Sequence, residues 1–365
     1  MSKDQKHILF ITPSLANTGS EILLFNYINF LAKRYVISVI CYKEGDLIKH
    51  LDKSVTVHIV GIKEPQTIIE KIIRKWKFMF VIPSLLNKYK NYNWYINTIV
   101  LPLPVDFAIK NQIKFTLHAH ELKQMYGLLS PDQLFKALNA PSLLIANSET
   151  TKQHLLEAGS GKEISVINPF IDFNYIKTFT KNHNADPEYP FCWVMAGSID
   201  SNKNPKLFIE IAKLAKEQKL SYQFIWLYNT ISDENLYVEV TSMAGNNVQF
   251  IKTNNYSDYL VQFSKAEGLL LTSTFESFSM VTLEALALNK AIVVNDCGGV
   301  TEIVDNSVAS IIDAGSGLYK YIDAMKKEAE RVSSFNGQKL EVAQKYDKES
   351  ILLQWEKVML SGIKQ

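Results

Sequence analysis

The chain has 365 residues, with 39 lysines and arginines against 37 aspartates and glutamates, for a formal charge of +2 at pH 7. So small a surplus is too little to imply a nucleic-acid partner held by phosphate neutralisation. A content of 47% hydrophobic and 21% charged residues excludes a disordered chain, and the length predicts two domains rather than one core.

The first half alternates apolar strands with helices. Strands are expected at 7–12, 36–41, 55–60, 94–100, 114–118, 143–147 and 164–167. Residues 21–32 carry helical spacing through Ile22, Phe25, Ile28 and Leu31. Fully apolar strands alternating with helices predict a parallel sheet covered on both faces. Residues 68–90 mix Ile, Trp, Phe and Leu with Lys71, Arg74, Lys75, Lys77, Lys88 and Lys90. This segment reads either as a packing helix with a solvated basic face or as a peripheral contact with an anionic membrane surface. Pro83 limits the run of any one helix there. A polar stretch at 172–190 reads as the interdomain linker.

The second half restarts the pattern: strand 191–196, helix 205–216, strand 222–228, strand 248–251 and helix 257–264. The expected architecture is therefore α/β, two doubly wound Rossmann-like parallel-sheet domains facing across a cleft, over residues 1–172 and 190–347. Three cysteines, Cys41, Cys192 and Cys297, lack metal spacing and an even count, which predicts a reducing cytoplasm. The N-terminal residues lack the apolar stretch of a signal peptide, and no apolar run reaches the roughly 20 residues that span a bilayer.

Residues 268–304 are the most informative. A strand runs into a polar loop carrying Glu276, and a helix follows with Glu284 inside it. A second strand then empties into Cys297-Gly298-Gly299, with Glu302 expected to open a short helix. A helix N-terminus between two carboxylates offers N–H donors and a positive dipole end to a phosphate. Those parts suit a nucleotide sugar: diphosphate at the dipole, ribose hydroxyls on one glutamate, sugar near the other.

This stretch resembles the donor-binding signature of the retaining GT4 glycosyltransferases, which have the GT-B fold. The resemblance runs through Glu276-Ser277-Phe278-Ser279, Glu284-Ala285-Leu286-Ala287 and Gly298-Gly299-Val300-Thr301-Glu302. It implies sugar transfer with retention from a UDP- or GDP-linked donor to a glycan or lipid-linked acceptor, in polysaccharide or cell-envelope glycan synthesis. No metal ion or other cofactor is implied. It assigns Glu276 to the donor sugar, Glu284 to the ribose, and Ser277, Phe278, Ser279, Gly298 and Gly299 to the donor-binding loops.

Three further loops follow by the same resemblance. Gly19, in Pro13-Ser14-Leu15-Ala16-Asn17-Thr18-Gly19-Ser20-Glu21, stands where the family's G-G-x-E loop faces the donor; an ordinary strand-to-helix turn would also accept it. In Gly197-Ser198-Ile199-Asp200-Ser201-Asn202-Lys203, Lys203 takes the place of the family's diphosphate-neutralising lysine, and Ser198 stands where an arginine is usual. His120, in His118-Ala119-His120-Glu121, is expected beside the sugar or acceptor hydroxyl. The catalytic set is thus Glu276, His120 and Lys203, and the last helix, from 348, is expected to return to the first domain. Two alternatives remain: a non-catalytic binding protein of the same fold, which Ser198 favours, and a nucleotide-sugar 2-epimerase.

Overall fold

The computed structural model describes residues 6–62, 65–121, 123–179, 190–332 and 337–364. The chain divides into two units, Met1–Pro169 with Ile351–Gln365, and Phe170–Ser350. In each, runs of β-branched and aromatic residues form short strands, the central ones buried on both faces, as helix-covered parallel sheets require, and the edge strands Thr56–Ile59 and Val248–Lys252 partly exposed.

The first unit has seven parallel strands: β1 (His7–Thr12), β2 (Val36–Cys41), β3 (Thr56–Ile59), β4 (Asn93–Ile96), β5 (Phe115–Ala119), β6 (Leu143–Ala146) and β7 (Ile164–Val166). Their order is β3-β2-β1-β4-β5-β6-β7. The second has six: β8 (Phe191–Ala196), β9 (Tyr222–Tyr228), β10 (Val248–Lys252), β11 (Gly268–Leu271), β12 (Ala291–Asn295) and β13 (Ser310–Ile312), ordered β10-β9-β8-β11-β12-β13. Each order reverses once, between β1 and β4 and between β8 and β11. At such a reversal the loops leave in opposite directions and open a crevice at the carboxyl ends of the strands.

Several boundaries differ from expectation. The strand expected at 94–100 stops at Ile96, because the next residues turn to serve a carboxylate: Thr98 Oγ1 donates to Glu121 Oε1, and Ile99 N–H donates to Oε2 at 3.3 Å. Between 68 and 88 the backbone stays helical. Helix Ile68–Trp76 passes through a π-helical turn, Lys77–Val81, into helix Ile82–Lys88. The wider turn lies just ahead of Pro83, whose missing N–H and ring an α-turn would not accommodate. Of the stretch expected as linker, residues 173–177 form a short helix in the second unit, and residues 180–189 lie outside the described residues.

The helix Lys348–Lys364 joins the first unit from Ile351 onward. There the buried Trp355 indole stacks on Tyr27 with ring centroids 4.1 Å apart and planes at 9°. Its Nε1–H donates to Tyr95 Oη at 3.0 Å. Glu356 pairs with Arg34 at 2.9 Å.

Candidate functional site

In the second unit the candidate residues leave three adjacent strands, β8, β11 and β12, at the point where the order reverses. The loop after β8 begins at Gly197, whose φ of +154° leads straight into the turn. The loop after β11 is fastened to it. Asn202 exchanges hydrogen bonds with Phe275, Nδ2–H to the carbonyl at 3.0 Å and Phe275 N–H to Oδ1 at 3.1 Å. Thr272 Oγ1 donates to the Lys203 carbonyl at 2.9 Å.

These fastenings bring Lys203 and Glu276 together. Their ion pair closes at 2.6 Å, with side chains 21% and 11% exposed. Burial opposes the lysine's charge, but the Glu276 charge and hydrogen bond more than offset it, so the Lys203 pKa is raised. Asp200 adds to that attraction and organises the loop: its carboxylate accepts Lys203 N–H at 2.9 Å and the Ser198 hydroxyl. Ser198 thus serves Asp200, and Lys203 answers two carboxylates.

The Glu276 backbone is pinned to the loop after β12. Its N–H donates to the Cys297 carbonyl at 2.7 Å, and its carbonyl accepts Gly299 N–H at 2.8 Å. The two glycines have separate reasons. Gly298 sits at φ +97°, a region that side chains avoid. At Gly299 a Cβ would lie 2.2 Å from the Ser277 carbonyl oxygen, so only glycine lets the two loops approach. Because its N–H is committed to Glu276, Gly299 acts through loop shape. Glu302 closes the short helix Gly299–Glu302 rather than opening one.

Ser277 is half-buried, while Phe278 and Ser279 are buried. Phe278 packs edge-on against Tyr346, centroids 5.5 Å apart. Ser279 caps helix Met280–Ala287, its Oγ accepting Thr282 N–H at 3.4 Å and Thr282 Oγ1–H at 2.9 Å. One turn on, Glu284 is 3% exposed. Its Oε1 accepts the Tyr256 hydroxyl at 2.8 Å and its Oε2 the Tyr259 hydroxyl at 2.5 Å. Burial pushes its pKa up to about 7, against the lowering effect of the two phenols. Neither tyrosine was singled out in the sequence. Their spacing of three on the helix Tyr256–Lys265 shows that they share a face, but not what that face meets.

In the first unit the remaining candidates also follow strand ends. Gly19 opens helix Gly19–Ala32 after β1. A Cβ there would meet nothing within 4 Å, so neither packing nor backbone geometry demands glycine at this position. Thr18 Oγ1 donates to Glu21 Oε2 at 2.6 Å, and Ser14 Oγ donates to Oε1, which draws the loop onto the first helical turn. After β5, His120 Nε2 lies 3.0 Å from Asn97 Oδ1, and its ring packs on His118 with centroids 3.9 Å apart. Burial lowers the His120 pKa to about 3 and holds His118 well below its usual value, so both imidazoles are neutral at pH 7. His118 Nδ1 is 2.5 Å from Tyr95 Oη, the atom that receives the Trp355 indole N–H.

The family described as Glycosyl transferases group 1 matches residues 176–338. A Campylobacter jejuni subsp. jejuni serotype O:2 protein is 23% identical over 288 residues, covering 76% of each chain. It is named a GalNAc-alpha-(1->4)-GalNAc-alpha-(1->3)-diNAcBac-PP-undecaprenol alpha-1,4-N-acetyl-D-galactosaminyltransferase. Among solved structures, Anabaena Alr3699/HepE in complex with UDP and glucose superposes with a TM-score of 0.78 at 18% identity, over 98% of this chain and 100% of that one. Sucrose-phosphate synthase from Thermosynechococcus elongatus superposes at 0.76 and 14% identity, over 98% and 99%. The two parallel sheets are thus those of the GT-B fold, and residues 176–338, which carry the Lys203–Glu276 pair and Glu284, are similar to the glycosyl transferases group 1.

Proposed function

We propose that this protein is a retaining, metal-independent transferase that moves a sugar from a nucleoside diphosphate sugar, UDP- or GDP-linked, to a glycan or lipid-linked acceptor. The observation that carries the reading is the Lys203–Glu276 pair at the carboxyl ends of β8 and β11, where the strand order reverses. In this reading Lys203 balances charge on the departing diphosphate, Glu276 contacts the sugar and Glu284 accepts the ribose hydroxyls. A fixed cation at a developing charge lowers the barrier without rearranging solvent. His120, a neutral imidazole, is assigned to a hydroxyl of the sugar or acceptor, and Gly19 to a close backbone approach. The Campylobacter relative, named for a lipid-linked acceptor, and the UDP-bound Anabaena neighbour support this choice of acceptor and donor.

The segment 68–81 supports a lipid-linked acceptor. None of the residues of helix Ile68–Trp76 is buried. Ile68, Ile69, Ile72, Ile73 and Trp76 recur at helical spacing and are 46–76% exposed, with Met79 and Phe80 continuing the stripe. A capping box fixes the helix start: Thr67 Oγ1 accepts Glu70 N–H at 3.2 Å and Glu70 Oε2 accepts Thr67 N–H at 3.0 Å. An apolar stripe left in water beside Lys71, Arg74 and Lys75 suits the interface of an anionic bilayer. Among the described residues no helix is long and apolar enough to cross a membrane, so the contact in this reading is peripheral.

One observation favours a second reading, a non-catalytic nucleotide-binding protein. Ser198 occupies the position of the expected arginine, and Lys203 is shared between Glu276 and Asp200. Thermal unfolding with nucleotides and nucleotide sugars, on wild type and Glu284→Ala, followed by turnover assay, separates the two. A ligand at about 100 times its Kd adds roughly 2.7 kcal/mol. A selective shift lost in the variant, with transfer and anomeric retention in the product, supports the transferase. Binding without turnover supports the second reading, and no shift with any nucleotide overturns the donor site.

A further inference from the structure

A carboxylate that is to accept two hydroxyls from a ligand must be held in one plane. Glu284 is held from both sides: Tyr256 donates to one oxygen and Tyr259 to the other, at 2.8 and 2.5 Å. The two phenols stand three apart on the helix Tyr256–Lys265, which puts them on one face. They differ in setting. The Tyr259 ring stacks on Phe263 inside the unit, centroids 5.3 Å apart. Tyr256 lies at the rim, 37% exposed, with its ring over Tyr259 at 5.8 Å and 23° and near Tyr175 at 6.4 Å. An ionised carboxylate offers about four lone-pair sites. The tyrosines donate one hydrogen bond to each oxygen, and each oxygen keeps acceptor capacity for one more donor, which matches the two hydroxyls of a vicinal diol.

We propose that Tyr256 and Tyr259 are positioning residues that orient Glu284 toward the cis-diol of a nucleoside's ribose, so that this chain distinguishes ribose from deoxyribose through a tyrosine-held glutamate. The inference rests on the assignment of Glu284 to the ribose under Proposed function and adds the pair that makes it selective. Glu284 is buried, and among the described residues the two phenols are the groups that act on its carboxyl. Asp172 and Tyr175 act on Tyr256, and Lys339 of helix Gly337–Gln344 turns its Nζ to the Lys290 carbonyl. Burial raises the Glu284 pKa to about 7 and the phenols pull it down. Ribonucleotide affinity therefore rises as pH climbs through about 7, and removing either hydroxyl moves that midpoint upward.

The test titrates wild type, Tyr256→Phe and Tyr259→Phe with UDP and GDP, and with their 2′-deoxy forms, across pH 5.5–8.5. The expected result, about a tenfold loss for the ribonucleotide in each variant, a clearly smaller loss for the 2′-deoxy form, which keeps one of the two hydroxyls, and a higher pH midpoint, supports the proposal. Variants that bind like wild type with an unmoved midpoint overturn it while leaving the donor site standing. Tighter binding by Tyr256→Phe also overturns it, since the hydroxyl would then occupy the ligand's place. Wild type that binds no ribonucleotide overturns both readings.

Discussion

Lys203 carries one positive charge between the carboxylates of Glu276 and Asp200, so a diphosphate must compete for it. Asp200 is the residue to change, because asparagine keeps the acceptor for Lys203 N–H and a partner for the Ser198 hydroxyl while removing a negative charge. Asp200→Asn is expected to tighten nucleoside diphosphate binding about threefold to tenfold, roughly 0.7–1.4 kcal/mol, with the gain shrinking as salt rises. Calorimetric titration at two ionic strengths checks this, and unchanged or weaker affinity would mean that Lys203 does not meet the phosphates. Gly299 poses a different problem. A methyl group there would lie 2.2 Å from a backbone oxygen, and backbone cannot swing aside as a side chain can. Gly299→Ala is expected to lower stability by about 1–3 kcal/mol and to displace Glu276, the residue whose backbone is hydrogen-bonded there. A variant as stable as wild type under chemical denaturation would refute that account.

At the scale of elements, the exposed stripe on helix Ile68–Trp76 makes a sharp prediction. Flotation with vesicles containing phosphatidylglycerol should recover the wild-type protein at low salt, and less of it at high salt. Each basic residue near an anionic surface contributes about 1 kcal/mol, so Lys71→Glu with Lys75→Glu should lower binding well over tenfold. Ile72→Asp should abolish it by placing charge in the apolar stripe. Wild type that stays with the protein fraction at low salt sinks the reading. The helix also shows what the sequence made legible and what it did not. Its amphipathic pattern was plain, but whether neighbours cover the apolar face is a tertiary fact that periodicity does not carry. The two-sheet architecture was legible because strands apolar on both faces alternate with helices. Glu284 was legible as buried because Leu283, Ala285, Leu286 and Leu288 surround it. Tyr256 and Tyr259 were not, since they reach Glu284 across 28 and 25 residues of sequence. Ser279, which the resemblance assigns to the donor loop, also precedes an apolar helical run, where a capping serine is expected. The strand after Trp94 was drawn too long because nothing local marks Thr98 and Ile99 as partners of Glu121.

At the scale of the whole molecule, the first unit is built from two separated stretches of chain, and Trp355 is the buried anchor of the second. Trp355→Ala removes the stack on Tyr27 and the indole donor to Tyr95, and is expected to cost about 3–5 kcal/mol. Chemical denaturation followed by tyrosine fluorescence or circular dichroism measures the loss, and a change below 1 kcal/mol would show that the helix is not integral to the unit. The split also sets a timetable during synthesis. A ribosome delivers Phe170–Ser350 in full before it delivers Ile351–Gln365, so the second unit has its whole sequence available while the nascent first unit still lacks the indole beneath Tyr95. Domains generally fold as units as they emerge from the N-terminus; here the part made first is completed last.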